Sequence, residues 1–117
     1  MQNGAVPLVA LIVAVFLSGA HTPQSAVERF IQPRSPADAC AQLAPAYRKA
    51  IELQYGPCLA GMKVQPKATR LVISQIHVAG AKATLIAAYT ANATRFRERY
   101  TLVRARGIWL ITGSKQL

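Results

Sequence analysis

The sequence predicts an α+β fold in which N-terminal helices pack on one face of a curved, cone-like antiparallel sheet of about four strands. Between residues 21 and 66, proline recurs at positions that suit helix starts. After residue 67, β-branched runs alternate with short turns. The last two runs form a hairpin pattern around the only tryptophan of the chain. A chain of 117 residues is long enough for one such domain and too short for two.

The first segment predicts where the domain is located. Residues 5–20 are uncharged and strongly apolar, and a helix of this length spans about 24 Å, less than the ~30 Å hydrocarbon core of a bilayer. Ser18 and Ala20 are the small residues expected just before a signal-peptidase cut at His21. A retained membrane anchor is the alternative. Residues 1–4 carry no Lys or Arg, which is atypical of a signal peptide and also gives an anchor no positive-inside orientation. We therefore expect residues 1–20 to be a signal peptide or anchor, and residues 21–117 to form an exported α+β domain.

Prolines mark the predicted helices, because proline fits the first helical turn. Thr22 and Ser35 precede two of these prolines and are good N-caps. Asp38 then lies in a first turn, where a carboxylate interacts favourably with the helix dipole, so we expect this role and not that of a general base. The first predicted helix spans residues 23–31, and the second starts after Ser35 and runs through residues 38–43. The third spans residues 45–54 and is followed by a single turn at residues 57–62.

Cys40 and Cys58 are the only cysteines. In an exported domain an isolated pair most often forms a disulfide, which stabilises by about 3 kcal/mol for a loop of this length. The alternatives are a catalytic thiol with His77 and Asp38, or a metal site that uses both histidines. Neither has the residue spacing that such sites need. We expect a disulfide, and no catalytic residue, metal or cofactor.

The strands begin with two runs, residues 69–78 and 82–90, joined by a turn at Ala79-Gly80. The run 71–73 is apolar on both strand parities, which predicts either a strand covered on both faces or a bulged one. The final pair of strands occupies residues 95–112, with a tight turn at Arg106-Gly107.

A two-residue turn fixes the register of this last hairpin. It places Leu102 opposite Ile111, Arg104 opposite Trp109 and Tyr100 opposite Gly113. One face of the hairpin then forms the predicted core or pocket lining: Tyr100, Leu102, Trp109 and Ile111.

The opposite face of the same hairpin carries Arg95, Arg97 and Arg99, since strand side chains alternate. The net charge is +10, and a surplus of this size favours anionic partners. We expect these residues, assisted by Arg104 or Arg106 near the turn, to bind an anionic envelope lipid, a wall polymer or an acidic protein. The sequence has no specific nucleic-acid motif. The alternative is a solvated face on which the Arg stems cover apolar surface.

Four stretches carry a resemblance to a known family: DACAQLAPAYRKAI, GPCLAGM, VAGAKATL and YTLVRARGIWLI. Over residues 24–113 the chain resembles small exported bacterial proteins of the nuclear transport factor 2-like superfamily. The resemblance implies a cone-shaped domain, usually dimeric, with a pocket between the sheet and the helices. Enzymatic, ketosteroid-isomerase-like members use Asp and Tyr residues of that pocket.

Here Glu98 is the only acid on a predicted strand, and no second acid pairs with it. The resemblance therefore implies one of the non-enzymatic members, which include domains of secretion and conjugation machines. We expect a basic binding or assembly module at the cell envelope. The alternative is a small-ligand carrier or an isomerase-like enzyme that uses the cone pocket.

Overall fold

The computed structural model describes residues 20–117, so the predicted export segment, apart from Ala20, lies outside the described residues. Four short helices precede four strands that form one open antiparallel sheet in the order β1-β2-β3-β4. The predicted α+β class is confirmed. Within residues 20–117, no helix is long and apolar enough to cross a membrane. The elements are α1 (Pro23–Ile31), α2 (Pro36–Ala41), α3 (Pro45–Tyr55), α4 (Cys58–Lys63), β1 (Thr69–Ala79), β2 (Lys82–Ala91), β3 (Thr94–Ala105) and β4 (Ile108–Gln116).

The first two helices begin at the predicted caps. The Thr22 hydroxyl accepts a hydrogen bond from the backbone N–H of Ser25 at 3.0 Å, and the Ser35 hydroxyl accepts one from Asp38 at 3.1 Å. α2 begins directly after its predicted cap, Ser35, and ends at Ala41, two residues before the predicted end at Leu43. The residues that follow α2 pair with β4 instead: Leu43 forms an isolated parallel bridge with Ile111.

The last hairpin has the predicted register near its turn, where Leu102 pairs with Ile111 and Arg104 with Trp109. The predicted pairing of Tyr100 with Gly113 is wrong, because an irregularity after Thr101 leaves one extra residue in β4. Tyr100 therefore lies opposite Ser114, and Gly113 lies opposite Thr101. A Cβ atom on Gly113 would approach the Thr101 hydroxyl to 2.9 Å, so glycine relieves this close contact.

β1 is bulged on either side of its apolar run, which is one of the two arrangements that this run predicts. The register of β1 against β2 shifts twice, once before Val72 and once after Ser74. Arg70 and Gln75 have positive φ angles of 54° and 50° at these two places. Bulges of this kind twist an edge strand and discourage pairing with another chain.

The sheet has two faces of different character. The inner face packs on the helices and carries the largest buried side chains, including Leu85, Leu102 and Ile111, against Val27 of α1. The outer face is exposed along much of its length, and its Val72 side chain is 56% exposed. Ile86 is the exception on the outer face, since it is only 3% exposed. All the helices therefore lie on one side of the sheet, which leaves the outer face available for contacts.

Candidate functional site

The outer face carries a row of cations along β3. Arg95, Arg97 and Arg99 alternate along the strand, and all three are exposed. Side chains two residues apart on a strand lie about 7 Å from each other. Lys115 of β4 lies opposite Arg99 and extends the row across the sheet. Lys82, at the start of β2, shares this face, because it pairs with Val103.

No carboxylate side chain lies on the outer face. All four acids of the chain fall within the described residues, and three of them, Glu28, Asp38 and Glu52, belong to the helices. The fourth, Glu98, points to the inner face. The outer cations therefore form a field that no acidic side chain of the chain neutralises.

The acids on the helices are engaged elsewhere. A guanidinium nitrogen of Arg29 lies 2.6 Å from a carboxylate oxygen of Asp38. A carboxylate oxygen of Glu52 lies 3.6 Å from Nε of Arg48. The same oxygen accepts a hydrogen bond from the backbone N–H of Cys58 at 2.7 Å. Both carboxylates thus serve to hold the helical layer together.

Arg95 is the most constrained of the three arginines on β3. Its guanidinium donates to the backbone carbonyl of Arg70 at 3.0 Å and to the Thr90 hydroxyl at 3.3 Å. Arg97 and Arg99 face Ala88 and Ile86 across the strand pair, and these side chains cannot compensate charge. Arg97 and Arg99 are therefore the better placed to contact an anion.

Arg104 and Arg106 were predicted to assist the three arginines of β3 in binding an anion. In the structure, neither belongs to the row of cations on the outer face. Arg104 shares the inner face with Trp109, and its guanidinium carbon lies 5.7 Å from the centre of the indole ring. A cation over an indole face is a stabilising arrangement in itself. Arg106 is exposed in the turn and has a φ of 53°.

The predicted core residues lie together on the inner face. Tyr100, Leu102, Trp109 and Ile111 are all buried, and Trp109 is 3% exposed. Phe30 of α1 meets Tyr100 edge to face, with ring centres 6.3 Å apart. Around Leu102, Trp109 and Ile111 the space between the sheet and the helices is thus filled with side chains, and the open cone pocket implied by the family resemblance is not present there.

A cluster of hydroxyls surrounds Glu98. One carboxylate oxygen of Glu98 accepts hydrogen bonds from the Tyr100 hydroxyl at 2.7 Å and from the Tyr89 hydroxyl at 3.0 Å. Tyr89 also stacks on Phe96, its neighbour across the strand pair, with ring centres 5.4 Å apart. Tyr89 was not predicted as a site residue from the sequence, although its parity on β2 places it on this face.

The environment of the cluster holds both phenols in the neutral form. Burial raises the pKa of Tyr100 well above its ordinary range, and the Glu98 charge and hydrogen bond raise it further. The same causes, in the same order, raise the pKa of Tyr89. The two hydroxyls can therefore act as donors to Glu98 across the whole physiological pH range.

We expect the cluster to resist ionisation in alkali. A phenol whose pKa is raised on folding contributes stability that is fully present below the unfolded pKa of about 10 and is lost as the pH rises through the folded pKa. Ultraviolet titration of phenolate should therefore show Tyr89 and Tyr100 ionising only together with unfolding, which circular dichroism reports. In a Glu98→Gln variant both should ionise at lower pH than in the parent. Early, reversible ionisation of every tyrosine in the folded parent would contradict this prediction.

Cys40 and Cys58 form the predicted disulfide, with Cα atoms 6.1 Å apart. The bond joins α2 to α4, so it fixes the position of the last helix before the sheet. In the part of the chain that the structure describes, no group of three or more His, Cys, Asp or Glu side chains could hold a metal ion.

No protein-family model matches the chain, and no curated protein matches it in sequence. Among solved structures, it is similar to the solution structure of a SEC-C motif containing protein from Rhodopseudomonas palustris. The TM-score is 0.52 and the sequence identity 18%, over 79% of this chain and 69% of that chain. At this identity the likeness shows the fold alone.

This comparison overturns the nuclear transport factor 2-like resemblance, because the structural match is to a protein described by a different motif. The stretches that suggested the resemblance cover parts of the short, alanine-rich helices α2 to α4 and two hairpin turns with flanking apolar residues. Both patterns arise wherever a helix packs on an antiparallel sheet. The resemblance therefore no longer supports a dimer or an isomerase-like pocket in this chain.

Proposed function

We propose that the chain is a non-enzymatic binding module of the cell envelope, and that its outer face docks on an anionic lipid surface. The observation that carries the proposal is the row Arg95, Arg97 and Arg99, which lies on an exposed sheet face without a single acidic side chain. Like charges at this spacing repel one another, so a face of this kind is stabilised by an anionic partner.

The geometry favours an extended partner over a small anion. The three arginines are spread along one strand and are not gathered around a cavity. Exposed or half-buried apolar side chains, Val72 and Leu110, share the outer face with them. At a lipid surface, the cations can contact the anionic headgroups while the apolar side chains contact the acyl chains. A purely polar wall polymer offers no apolar surface for these side chains to contact.

Two observations support a role without catalysis at the cell envelope. Asp38, Glu52 and Glu98 are each held by structural partners, which leaves little means for acid–base chemistry. The uncharged apolar stretch at residues 5–20 supports export, either as a signal peptide or as an anchor.

The competing explanation is that the arginines only complete the fold. Arg95 donates to the backbone of Arg70, and Arg99 lies opposite the buried Ile86. In this explanation the aliphatic stem of Arg99 covers Ile86. This explanation predicts that removing the charges changes stability but no interaction. The two explanations therefore differ in what a charge-removing variant does to binding.

The test is co-sedimentation with vesicles of phosphatidylglycerol and phosphatidylcholine in equal parts. Each Lys or Arg near an anionic lipid surface contributes about 1 kcal/mol, so the combined change Arg95→Gln, Arg97→Gln and Arg99→Gln should weaken binding about 100-fold. Binding of the parent should also fall steeply as added salt shortens the Debye length from about 30 Å to about 8 Å. Pure phosphatidylcholine vesicles report any contribution of the apolar N-terminal segment.

The matched control removes the same charge from the helical side, through Lys49→Gln, Lys63→Gln and Lys67→Gln. Its vesicle binding should stay within a few-fold of the parent's, because these exposed lysines lie away from the outer face. Equal binding of the parent and the arginine variant at every salt concentration would show that the outer face is only solvated surface. Retention on a polyglycerol phosphate polymer but not on vesicles would overturn the lipid assignment.

A further inference from the structure

An open groove of about 680 Å³ lies at one end of the helical layer, away from the outer cations. It is bounded by the C-terminal end of α1, the connection from α1 to α2, the end of α4 and the connection from α4 to β1. Its apolar lining includes Phe30, Ile31, Pro33, Met62 and Pro66. The volume lies within the range of small-molecule sites, which is roughly 300–1,000 Å³.

The charged residues that line the groove are all cations. Arg34, Lys63 and Lys67 line it, and no Asp or Glu does. The three come from different parts of the chain: the α1–α2 connection, the end of α4 and the segment before β1. An apolar groove with cations from several segments is complementary to an apolar molecule that carries a negative charge.

A narrower space of about 100 Å³ adjoins the groove on the side of the sheet. The two share Phe30, Ile31 and Met62, and the inner space reaches the rings of Phe96 and Tyr100 on the sheet. The rings of Phe30 and Phe96 give part of this space an apolar wall, and its small volume admits the end of one hydrocarbon chain. The site is therefore shaped for a single chain.

The walls of the groove are held in place by polar contacts. The Gln32 side-chain amide donates to the backbone carbonyl of Ala68 at 3.1 Å, which ties the end of α1 to the start of the sheet. A carboxylate oxygen of Asp38 accepts the backbone N–H of Arg34 at 3.4 Å. The disulfide of Cys58 fixes α4, which supplies Met62 and Lys63. A preformed site of this kind avoids part of the ordering cost of binding.

We propose that this groove binds a fatty carboxylate, with the hydrocarbon chain in the apolar trough and inner space and the carboxylate among Arg34, Lys63 and Lys67. A two-chain lipid does not fit the narrow inner space. The proposal is independent of the docking of the outer face, because the two sites share no residue.

The test is a titration of the isotope-labelled chain with dodecanoate below its micelle concentration, followed by amide NMR. Saturable shifts should appear at Phe30, Ile31, Met62 and Ala68 and should be absent along β3 at Arg97. Dodecanol, which has the same chain without the charge, should bind at least about tenfold more weakly. Shifts confined to the outer face, or no saturable shift, would overturn the proposal.

The paired variants separate this site from the outer face. The exposed pair Lys63→Glu and Lys67→Glu should weaken dodecanoate binding by about tenfold or more, because two attractive charges become repulsive. The pair Arg97→Glu and Arg99→Glu changes the net charge equally and should leave dodecanoate binding unchanged. Equal affinity of both pairs for dodecanoate, or equal affinity of the parent for dodecanol, would show that the cations play no part and would reject the carboxylate assignment.

Discussion

Replacing Trp109 with alanine is expected to lower the free energy of unfolding by about 3–5 kcal/mol, the usual range for removing a large buried aromatic side chain. Trp109 is almost fully buried in the core on the inner face. Its backbone N–H donates to the carbonyl of Ala20 at 3.0 Å, so the indole also lies where the start of the described chain meets the sheet. The variant leaves a cavity that the surrounding sheet cannot fully close.

The measurement is urea unfolding followed by far-ultraviolet circular dichroism, since the variant has no tryptophan fluorescence. The matched control is Arg104→Ala, which removes only the cation over the ring and should cost about 0.5–1 kcal/mol. A Trp109→Ala variant within about 1 kcal/mol of the parent would contradict the assignment of Trp109 to the core.

Removing the disulfide, through Cys40→Ala and Cys58→Ala together, should destabilise the domain by about 3 kcal/mol. The bond closes a loop across 18 residues of sequence, so its loss restores conformational freedom to the unfolded chain. It also frees α4 from α2, and only contacts such as the Glu52 carboxylate on the N–H of Cys58 then hold the start of α4.

Unfolding with and without reductant checks this prediction. The parent should lose stability in reductant down to the level of the double variant, and the double variant should not respond to reductant. Parent stability that is the same in oxidising and reducing buffer would mean that the bond contributes nothing to the folded state.

Much of the fold could be predicted because local rules coincide with the tertiary structure. Thr22 and Ser35 cap helices where their positions before proline indicate, and the turn at Arg106-Gly107 sets the register of the neighbouring pairs. The predicted pairing partner of Tyr100 was wrong, because nothing in the local sequence indicates the extra residue in β4 near Thr112. A register shift of this kind depends on contacts between strands, which a periodic pattern cannot reveal.

Of the two candidate sites, the row of arginines could be predicted from the sequence and the groove could not. Strand alternation was enough to place Arg95, Arg97 and Arg99 on one face. The groove was missed, because its lining joins the end of α1 to a segment more than thirty residues later, such as Phe30 with Lys67. A contact between such distant segments depends on how the helices pack on the sheet. The spacing of residues within a single helix or strand does not indicate it.

The most direct test of the central claim is a footprint of lysine reactivity by mass spectrometry, with and without anionic vesicles. Lys82 and Lys115 lie on the outer face, whereas Lys49 and Lys63 are exposed on the helical side. Docking through the outer face predicts that vesicles of phosphatidylglycerol and phosphatidylcholine protect Lys82 and Lys115 and leave Lys49 and Lys63 reactive. Protection of Lys49 and Lys63, with Lys115 still fully reactive, would contradict the account.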